Sequence, residues 1–418
     1  MFQHSYDVII IGESLASRVA AVRLAKQGYR ILTFRNEHSA LPNWLFSSLQ
    51  LESLLETLDG RSCYTSADPF QVFTPRVRIE FNGRMPLKEE LRRELPASHG
   101  QVRQVLENLT TGGERLEELL RKNARALLTP VGRGILNLRR TIHRIGLGPL
   151  NRPLKPYLEE HVPDQDGLTA LGTLFSGMSL TAASELTIAE AALLWHCSTR
   201  PSGISPSGLD DLLQHRYDQF HGNTEKLDAV KNIICEKNGI SDIALKRGGG
   251  CAASCYLFSD ERALGMLSDP NRRSEKHGIL QRVAAPLNDQ LSPLLAKRVI
   301  VSGDPPMRLA LGRRNGEIAC SIELNSNPPH AGDPDDRLRR RLTDVFPFAE
   351  YVLEETTATD PPRVNSRSSR LLGLTQTPRL SRNSWLCSGA MLLPSLGSCG
   401  ETLVGEALAQ EVAKRVKS

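Results

Sequence analysis

The sequence has little that would place it inside a membrane or among disulfide-rich proteins. It has no run near the ~18 consecutive apolar residues that a membrane-spanning helix needs. Residues 1–4 lead into a strand-like run without a basic leader or a cleavage site, so we expect no secretory signal. Eight cysteines in 418 residues are too few for a disulfide scaffold. We therefore expect reduced thiols and a cytoplasmic protein, either free or peripheral at a membrane surface.

Strong charge bias and metal-ligand spacing are also missing. The formal charge of +5 is small, so it does not predict a nucleic-acid partner. No cysteine and histidine group has zinc spacing, so no metal site is predicted. With 40% apolar and 24% charged residues, the chain is typical of globular proteins. Its length exceeds what one hydrophobic core usually serves, which favours two domains.

The N-terminal 35 residues have the pattern of a strand, a helix and a second strand. Tyr6–Ile11 is a nearly continuous β-branched run, as in a strand buried on both faces. From Ser14 to Gln27 the apolar residues recur at helical spacing, and Gly28 follows as a C-terminal cap. Tyr29–Phe34 then predicts the second strand. This βαβ unit is the start of a dinucleotide-binding fold.

The turn after the first strand carries part of a phosphate-binding motif. Such turns use one glycine for the tight turn, a second where pyrophosphate meets the backbone and a small third residue for helix packing. Here the three places hold Gly12, Ser14 and Ser17. The Ser14 side chain either crowds a phosphate or donates a hydrogen bond to it. The alternative is a Rossmann-like unit that holds no nucleotide.

The end of the second strand is where an acidic residue normally accepts the ribose hydroxyls. That place falls on Arg35, with Glu37 two residues further. A basic residue suits a phosphorylated ribose better than a free diol. The alternatives are that Glu37 substitutes for the acid or that Arg35 is a solvated surface residue.

A second glycine-rich turn lies near the C-terminus. Residues 384–388 are strand-like, Gly389 and Ala390 interrupt the pattern, and Pro394–Glu401 leads into a helix with an apolar row. Glu401 falls in the first turn of that helix, where an acid complements the helix dipole. This turn predicts a second anion site or flavin-edge site.

These segments together resemble the phytoene desaturase and carotenoid isomerase branch of the FAD-dependent oxidoreductases, which are relatives of the amine oxidases. The matching segments are Tyr6–Phe34, Pro394–Glu401 and, in the middle, Gly203, Leu209 and Val230–Ile233. They cover about a third of the chain. The resemblance implies FAD, with the pyrophosphate at the first turn, the adenine at Val230 and the isoalloxazine near Gly397–Gly400. The cofactor-binding residues implied in this way are Gly12, Ser14, Leu15, Ala16, Ser17, Arg35, Val230, Gly389, Gly397, Gly400 and Glu401.

Three polar anchors of that family are altered in this sequence. The family's second glycine is replaced by Ser14, its ribose acid by Arg35, and the aspartate of its C-terminal Gly-Asp pair by Ala390. These changes keep the fold and predict that FAD binding is weak or absent.

The fold class implied is α/β: a Rossmann-like FAD/NAD(P)-binding domain with an inserted, mostly helical α+β substrate domain. The dinucleotide-binding domain is predicted to be discontinuous, over 1–80, 203–265 and 375–418. The substrate or cap domain takes 81–202 and 266–374.

A basic stretch and a few side chains are further candidates. Arg121–Lys155 holds nine Lys or Arg and no acid, as in a helix on an anionic membrane surface or in a helix of the substrate domain with solvated charges. Cys251 and Cys255 share a strand face, which favours buried packing over a redox pair. Cys399 lies near the flavin edge implied by the resemblance. His196 is interpreted as a core histidine, and no catalytic residues can be assigned.

Two functions therefore remain open. The first is an FAD-dependent oxidoreductase, of desaturase or isomerase type, acting on an apolar or conjugated small molecule, with the flavin supplying the redox chemistry. The second is a non-catalytic subunit or carrier on the same fold that has lost or weakened FAD binding. A protein partner or a redox partner is expected in either case, and the sequence does not identify the substrate or the electron acceptor.

Overall fold

The structure is a computed structural model, and it describes most of the chain. The described residues are 3–35, 49–58, 69–128, 152–200, 206–236, 239–267, 280–287, 295–304, 307–314, 317–325, 334–346, 354–359, 378–393 and 395–416.

Fourteen strands and twelve helices are found within these ranges. The strands are β1 (Gln3–Ile11), β2 (Ile31–Arg35), β3 (Phe70–Phe73), β4 (Arg78–Phe81), β5 (Asn223–Lys226), β6 (Val230–Glu236), β7 (Gly239–Leu245), β8 (Gly250–Phe258), β9 (Leu280–Leu287), β10 (Arg298–Val301), β11 (Met307–Arg314), β12 (Glu317–Asn325), β13 (Glu354–Thr359) and β14 (Ser384–Leu386). The helices are α1 (Leu15–Lys26), α2 (Leu51–Thr57), α3 (Leu87–Glu94), α4 (His99–Leu128), α5 (Leu154–His161), α6 (Gln165–Ser179), α7 (Ile188–Thr199), α8 (Pro206–Gln219), α9 (Glu261–Gly265), α10 (Pro334–Val345), α11 (Gly389–Leu392) and α12 (Glu401–Val416).

The first sheet contains the predicted βαβ unit. Its strand order is β5-β2-β1-β8-β7-β6, with β14 also paired to β8. The strands β1, β2, β5, β8 and β14 run parallel, whereas β6 and β7 form an antiparallel hairpin at one side. Parallel sheets are covered on both faces, which explains why β1 is apolar at successive positions. Val8 and Ile10 pack on the α1 side, and Ile9 and Ile11 pack on the other.

The second sheet belongs to the inserted part of the chain. Its strand order is β13-β9-β12-β11-β10-β3-β4, mostly antiparallel. Helix α6 packs closely against it, since a Cβ added to Gly177 would come within 2.1 Å of Ile300. The α/β class with an α+β insertion is thus confirmed, and the insertion contains a seven-stranded sheet beside its helices.

Strands β3 and β4 belong to the second sheet, although the predicted dinucleotide-binding domain extends to residue 80. Phe70–Phe73 and Arg78–Phe81 fall almost wholly within the range assigned to the dinucleotide domain. They instead join the second sheet, where β3 pairs in parallel with β10. Their partner strand, β10, lies more than 200 residues further along the chain, and local sequence pattern does not reveal such a pairing.

Helices α1 and α12 pack side by side on one face of the first sheet. Gly405 lies at their contact, because a Cβ added there would come within 2.5 Å of the Ala16 carbonyl oxygen. The two ends of the sequence are thereby brought together. No helix within the described ranges is long and apolar enough to cross a membrane.

Several predictions fall on residues outside the described ranges. These include Glu37, Gly203, Pro394 and residues 129–151 of the basic stretch. At its described ends, the basic stretch forms ordinary surface ion pairs. Lys122 Nζ lies 2.6 Å from Glu118, and Lys155 Nζ lies 3.9 Å from Glu159.

Candidate functional site

Ser14 caps helix α1 and also ties it to the C-terminal segment. Its Oγ accepts a hydrogen bond from the Ser17 N–H at 3.1 Å, and Ser17 Oγ accepts one from the Ser14 N–H at 3.0 Å. This reciprocal capping box satisfies two of the amides that a helix N-terminus leaves free. The Ser14 hydroxyl then donates to the Cys387 carbonyl at 2.9 Å. Ser14 therefore acts on the protein's own backbone.

Gly12 makes the tight turn between β1 and α1. Any side chain at this position would force neighbouring atoms to move. Its φ is +90°, and an added Cβ would lie 2.3 Å from Asp260 Oδ2. The same carboxylate accepts the Glu13 N–H at 2.8 Å. A carboxylate from the segment after β8 thus occupies the space directly above the glycine.

Glu401 reaches the N-terminus of α1 from the first turn of α12. Its Oε2 accepts the Ala16 N–H at 2.8 Å, in a buried contact. Gly389 allows this approach, since an added Cβ there would come within 2.7 Å of the Glu401 backbone nitrogen and Cα. Burial, with the Glu401 charge adding to it, raises the pKa of the Cys387 thiol well above its ordinary value, so that thiol is protonated at neutral pH. The two helix N-termini meet around one carboxylate.

The opposite side of the first turn is closed by charged side chains that face α8. Arg18 forms ion pairs with Glu13 and with Asp210 on α8, and Arg35 donates to Gln214 on the same helix. Burial, and next the charge of Arg18, lower the pKa of Arg35. The cavity left among these residues measures about 20 Å³. That volume holds about one water molecule.

The remaining predicted residues lie farther apart around the fold. Val230 begins β6 and is buried with Ile11 and Phe34, on the sheet face opposite α1. Gly397 has φ +51° and Gly400 ends the short 3₁₀ turn that precedes Glu401. Leu15 is the first residue of α1, and its side chain is buried.

The first turn does not fit the pyrophosphate of FAD with these residues in place. A dinucleotide needs free N–H groups at the helix N-terminus and little competing negative charge. The amides of Glu13, Ser14, Ala16 and Ser17 instead bond to protein oxygens. Carboxylates of Asp260 and Glu401 supply two of those oxygens, so a phosphate would have to displace them. Ligand sites for molecules of this size occupy roughly 300–1,000 Å³, far more than the cavity beside Arg35.

The fold itself has many solved counterparts. An oxidoreductase from Methanosarcina mazei aligns with a TM-score of 0.60 at 12% identity, over 97% of this chain and 100% of that chain. Cyclohexylamine oxidase from Brevibacterium oxydans aligns with a TM-score of 0.55 at 13% identity, over 99% of this chain and 100% of that chain. This chain has the fold that these two oxidoreductases share.

One of the solved structures with this fold is not described as an oxidoreductase. A Rab GDI from Plasmodium falciparum aligns with a TM-score of 0.55 at 10% identity, over 97% of this chain and 98% of that chain. No family model and no curated protein sequence matches the chain. The likeness therefore establishes architecture, and the chemistry of the site has to be read from its own residues.

His196 is buried, as predicted, and its ring is held by a carboxylate. Its Nε2 lies 2.8 Å from Glu117 Oε2, and Arg200 bonds to the same oxygen. Burial alone raises the pKa of Glu117. The hydrogen bonds from His196 and the Gln50 backbone, with the charge of Arg200, outweigh burial and lower that pKa overall. Glu117 is a carboxylate at neutral pH.

We expect Glu117 to stabilise the protein at neutral pH and to lose this contribution in acid. A carboxyl whose pKa is lowered by folding contributes stability above its unfolded pKa and loses it as the pH falls through the folded value. The difference in free energy of unfolding between about pH 7 and about pH 4 should therefore shrink in Glu117→Gln. Urea unfolding at both pH values measures it. Glu107→Gln, on an exposed part of the same helix, should keep the wild-type difference, and an unchanged difference in Glu117→Gln would contradict the assignment.

Sequence reasoning missed the partners that complete these contacts. Asp260, Asp210 and Glu117 stand among many similar acidic residues and match no spacing rule. Glu401 was predicted from its position at the start of a helix, but its bond to α1 spans 385 positions. Cys251 and Cys255 are buried on β8, as predicted, but they do not share a face: Cys255 packs in the cluster on the α1 side and Cys251 in the cluster on the other side of the sheet. Among the described residues, no group of three His, Cys, Asp or Glu could hold a metal ion.

Proposed function

We propose that this protein is a non-redox subunit or carrier built on the flavin oxidoreductase fold. One observation carries the proposal: the Glu401 carboxylate takes the Ala16 amide at the helix N-terminus where a cofactor phosphate would bind. A buried carboxylate on a backbone N–H is a strong, charge-assisted contact. The protein thus supplies internally the anion that the fold would otherwise receive from a dinucleotide.

The electrostatics around α1 support the same proposal. Glu13, Asp260 and Glu401 place three carboxyl groups around the turn, with Arg18 between Glu13 and Asp210. A pyrophosphate would add two negative charges to this group, and like charges at close range in a partly buried site repel strongly. In its present arrangement, the turn favours stability of the chain over cofactor binding.

A second candidate is an FAD-dependent oxidoreductase of desaturase or isomerase type, acting on an apolar or conjugated small molecule. The observation that favours it is the length of the structural likeness. The alignment with the Methanosarcina mazei oxidoreductase spans 97% of this chain and all of that one, so both parts of the architecture are kept. In this candidate, Glu401 and the charged residues facing α8 would have to move aside for the cofactor.

The flavin content of the purified protein distinguishes the two candidates. We expect no flavin absorption in the visible spectrum and no FAD released on denaturation, even after incubation with excess FAD. The reason is that the Glu401 carboxylate occupies the Ala16 amide. The double variant Ser14→Gly with Arg35→Glu keeps this contact, so it should also remain colourless. Adding Glu401→Ala to the pair removes the competing anion and should raise the flavin content. One FAD per unmodified chain would overturn the proposal and support the oxidoreductase.

A further inference from the structure

A large polar groove lies between α2, α4 and the end of α7. It measures about 580 Å³ and is open to solvent. That volume falls within the range of small-molecule sites, roughly 300–1,000 Å³. None of its lining residues takes part in the contacts at the N-terminus of α1, so binding in the groove does not depend on whether the protein holds FAD.

The floor of the groove is an organised set of charged contacts. Glu117 Oε1 accepts the Gln50 N–H at 2.6 Å, and its Oε2 receives His196 and Arg200. Arg200 also donates to Glu52 Oε2 at 2.8 Å. Helices α4 and α7 are packed tightly here, since a Cβ added to Gly113 would lie 2.4 Å from the Ala192 carbonyl. The floor is therefore held in one geometry.

One polar group on this floor lacks a partner. Gln50 is 7% exposed, and its side-chain Nε2 is buried without a hydrogen-bond partner. The residue is also held at φ +66°, a left-handed conformation that is uncommon for glutamine. A buried amide donor without an acceptor destabilises a protein. A buried polar group of this kind calls for an explanation, and a bound partner that accepts its hydrogen bond is one.

The walls of the groove carry an excess of negative charge. Five glutamates line it against two arginines, and Lys122 pairs with one of them, Glu118, which leaves an excess of two negative charges. Glu56 on α2 and Glu114 on α4 are exposed and form no ion pair in the described part of the chain. Ser53 adds a hydroxyl to the same wall. Together these groups suit a positively charged ligand that also has oxygen acceptors and hydroxyl donors.

We propose that this groove binds a small hydroxylated organic cation, of the amino sugar or amino alcohol class. The cationic nitrogen lies against Glu56 and Glu114, and the Gln50 side chain turns its buried Nε2 into the groove to donate to an oxygen of the ligand. Glu117 acts as a positioning residue, because it holds the Gln50 backbone and Arg200 in place without a free oxygen of its own. No redox step and no covalent step is involved.

Calorimetric titration of the full-length protein with three matched sugars tests the proposal. Glucosamine is the cationic probe, glucose is the neutral one and glucuronate the anionic one. We expect glucosamine to bind with a roughly millimolar or tighter dissociation constant, and glucose and glucuronate at least about tenfold more weakly. Added salt should weaken the binding of glucosamine and leave that of glucose unchanged.

Two variants place the binding in the groove. Glu114→Gln is a surface change that should keep the fold and weaken glucosamine binding by about tenfold. Gln50→Leu removes the unpaired amide, so it should raise the urea midpoint while abolishing binding, a combination that simple misfolding would not give. Glu107→Gln, in an exposed ion pair elsewhere on α4, is the matched control and should bind normally.

Three outcomes would overturn the proposal. The first is no binding of glucosamine at millimolar concentrations. The second is equal binding of glucosamine and glucose, which would remove the role of charge. The third is full binding in both Glu114→Gln and Gln50→Leu, which would place the ligand elsewhere on the protein.

Discussion

Replacing Glu401 with alanine is expected to lower the free energy of unfolding by about 2–4 kcal/mol. The substitution removes a buried, charge-assisted hydrogen bond and leaves the Ala16 N–H at the start of α1 without its acceptor. It also removes one of the contacts that join α1 and α12. Urea unfolding followed by far-UV circular dichroism measures the loss as a shift of the midpoint at constant slope.

The control for this measurement lies on the same helix. Gln410 is exposed on α12, so Gln410→Ala should change the free energy of unfolding by less than about 0.5 kcal/mol. Inorganic pyrophosphate should restore part of the lost stability in Glu401→Ala and have no effect on the wild type, because the freed helix N-terminus can then bind an anion. A Glu401→Ala protein as stable as the control would show that the carboxylate contributes nothing at this helix.

The N-terminal βαβ unit could be predicted from the sequence because its signals are local. The continuous apolar run of Tyr6–Ile11, the helical spacing after Ser14 and the cap at Gly28 each follow from neighbouring residues. The structure has the corresponding strand, helix and second strand at these places. The sequence also has a local turn signal, Asn238-Gly239, between the two strand-like runs that pair as β6 and β7.

The state of the site could not be predicted in the same way. Whether Ser14 crowds a phosphate or bonds to one depends on where its hydroxyl points, and the structure directs it to the Cys387 carbonyl. That contact spans 373 positions of sequence, and the one between Glu401 and Ala16 spans 385. Motif spacing describes only the residues of one turn. The side chains that fill the turn come from segments whose approach is decided by the packing of the whole domain.

The groove between α2, α4 and α7 could be predicted from the sequence only in part. His196 was interpreted as a core histidine, and its burial and its bond to Glu117 agree with that. The helix positions of Glu117 and Glu114, by contrast, look like those of any charged residue on a long amphipathic helix. Only the packing of α2 and α7 beside them distinguishes a solvated face from the wall of a groove.

The contact of α1 with α12 leads to the second large effect, at Gly405. Alanine normally stabilises a helix over glycine by about 0.5–1 kcal/mol, because it restricts the unfolded backbone. At Gly405, however, the new methyl group would lie 2.5 Å from the Ala16 carbonyl oxygen and 2.8 Å from Val19 Cβ. The two helices would have to separate, and such overpacking costs about 1–3 kcal/mol.

We therefore expect Gly405→Ala to lower the free energy of unfolding by about 1–3 kcal/mol, against the helix propensity. Gly172 in α6 is the matched control, because an added Cβ there has no atom within 4 Å. Gly172→Ala should raise the free energy of unfolding by about 0.5–1 kcal/mol, so the two glycine-to-alanine changes should have opposite signs. Both are measured by urea unfolding under the same conditions.

A double variant of Gly405→Ala with Glu401→Ala should lose less free energy of unfolding than the sum of the two single losses, because separation of the helices already breaks the bond from Ala16 to Glu401. A stabilising Gly405→Ala would mean that α1 and α12 do not cross at this glycine, and the shared carboxylate between their N-termini would lose its structural basis.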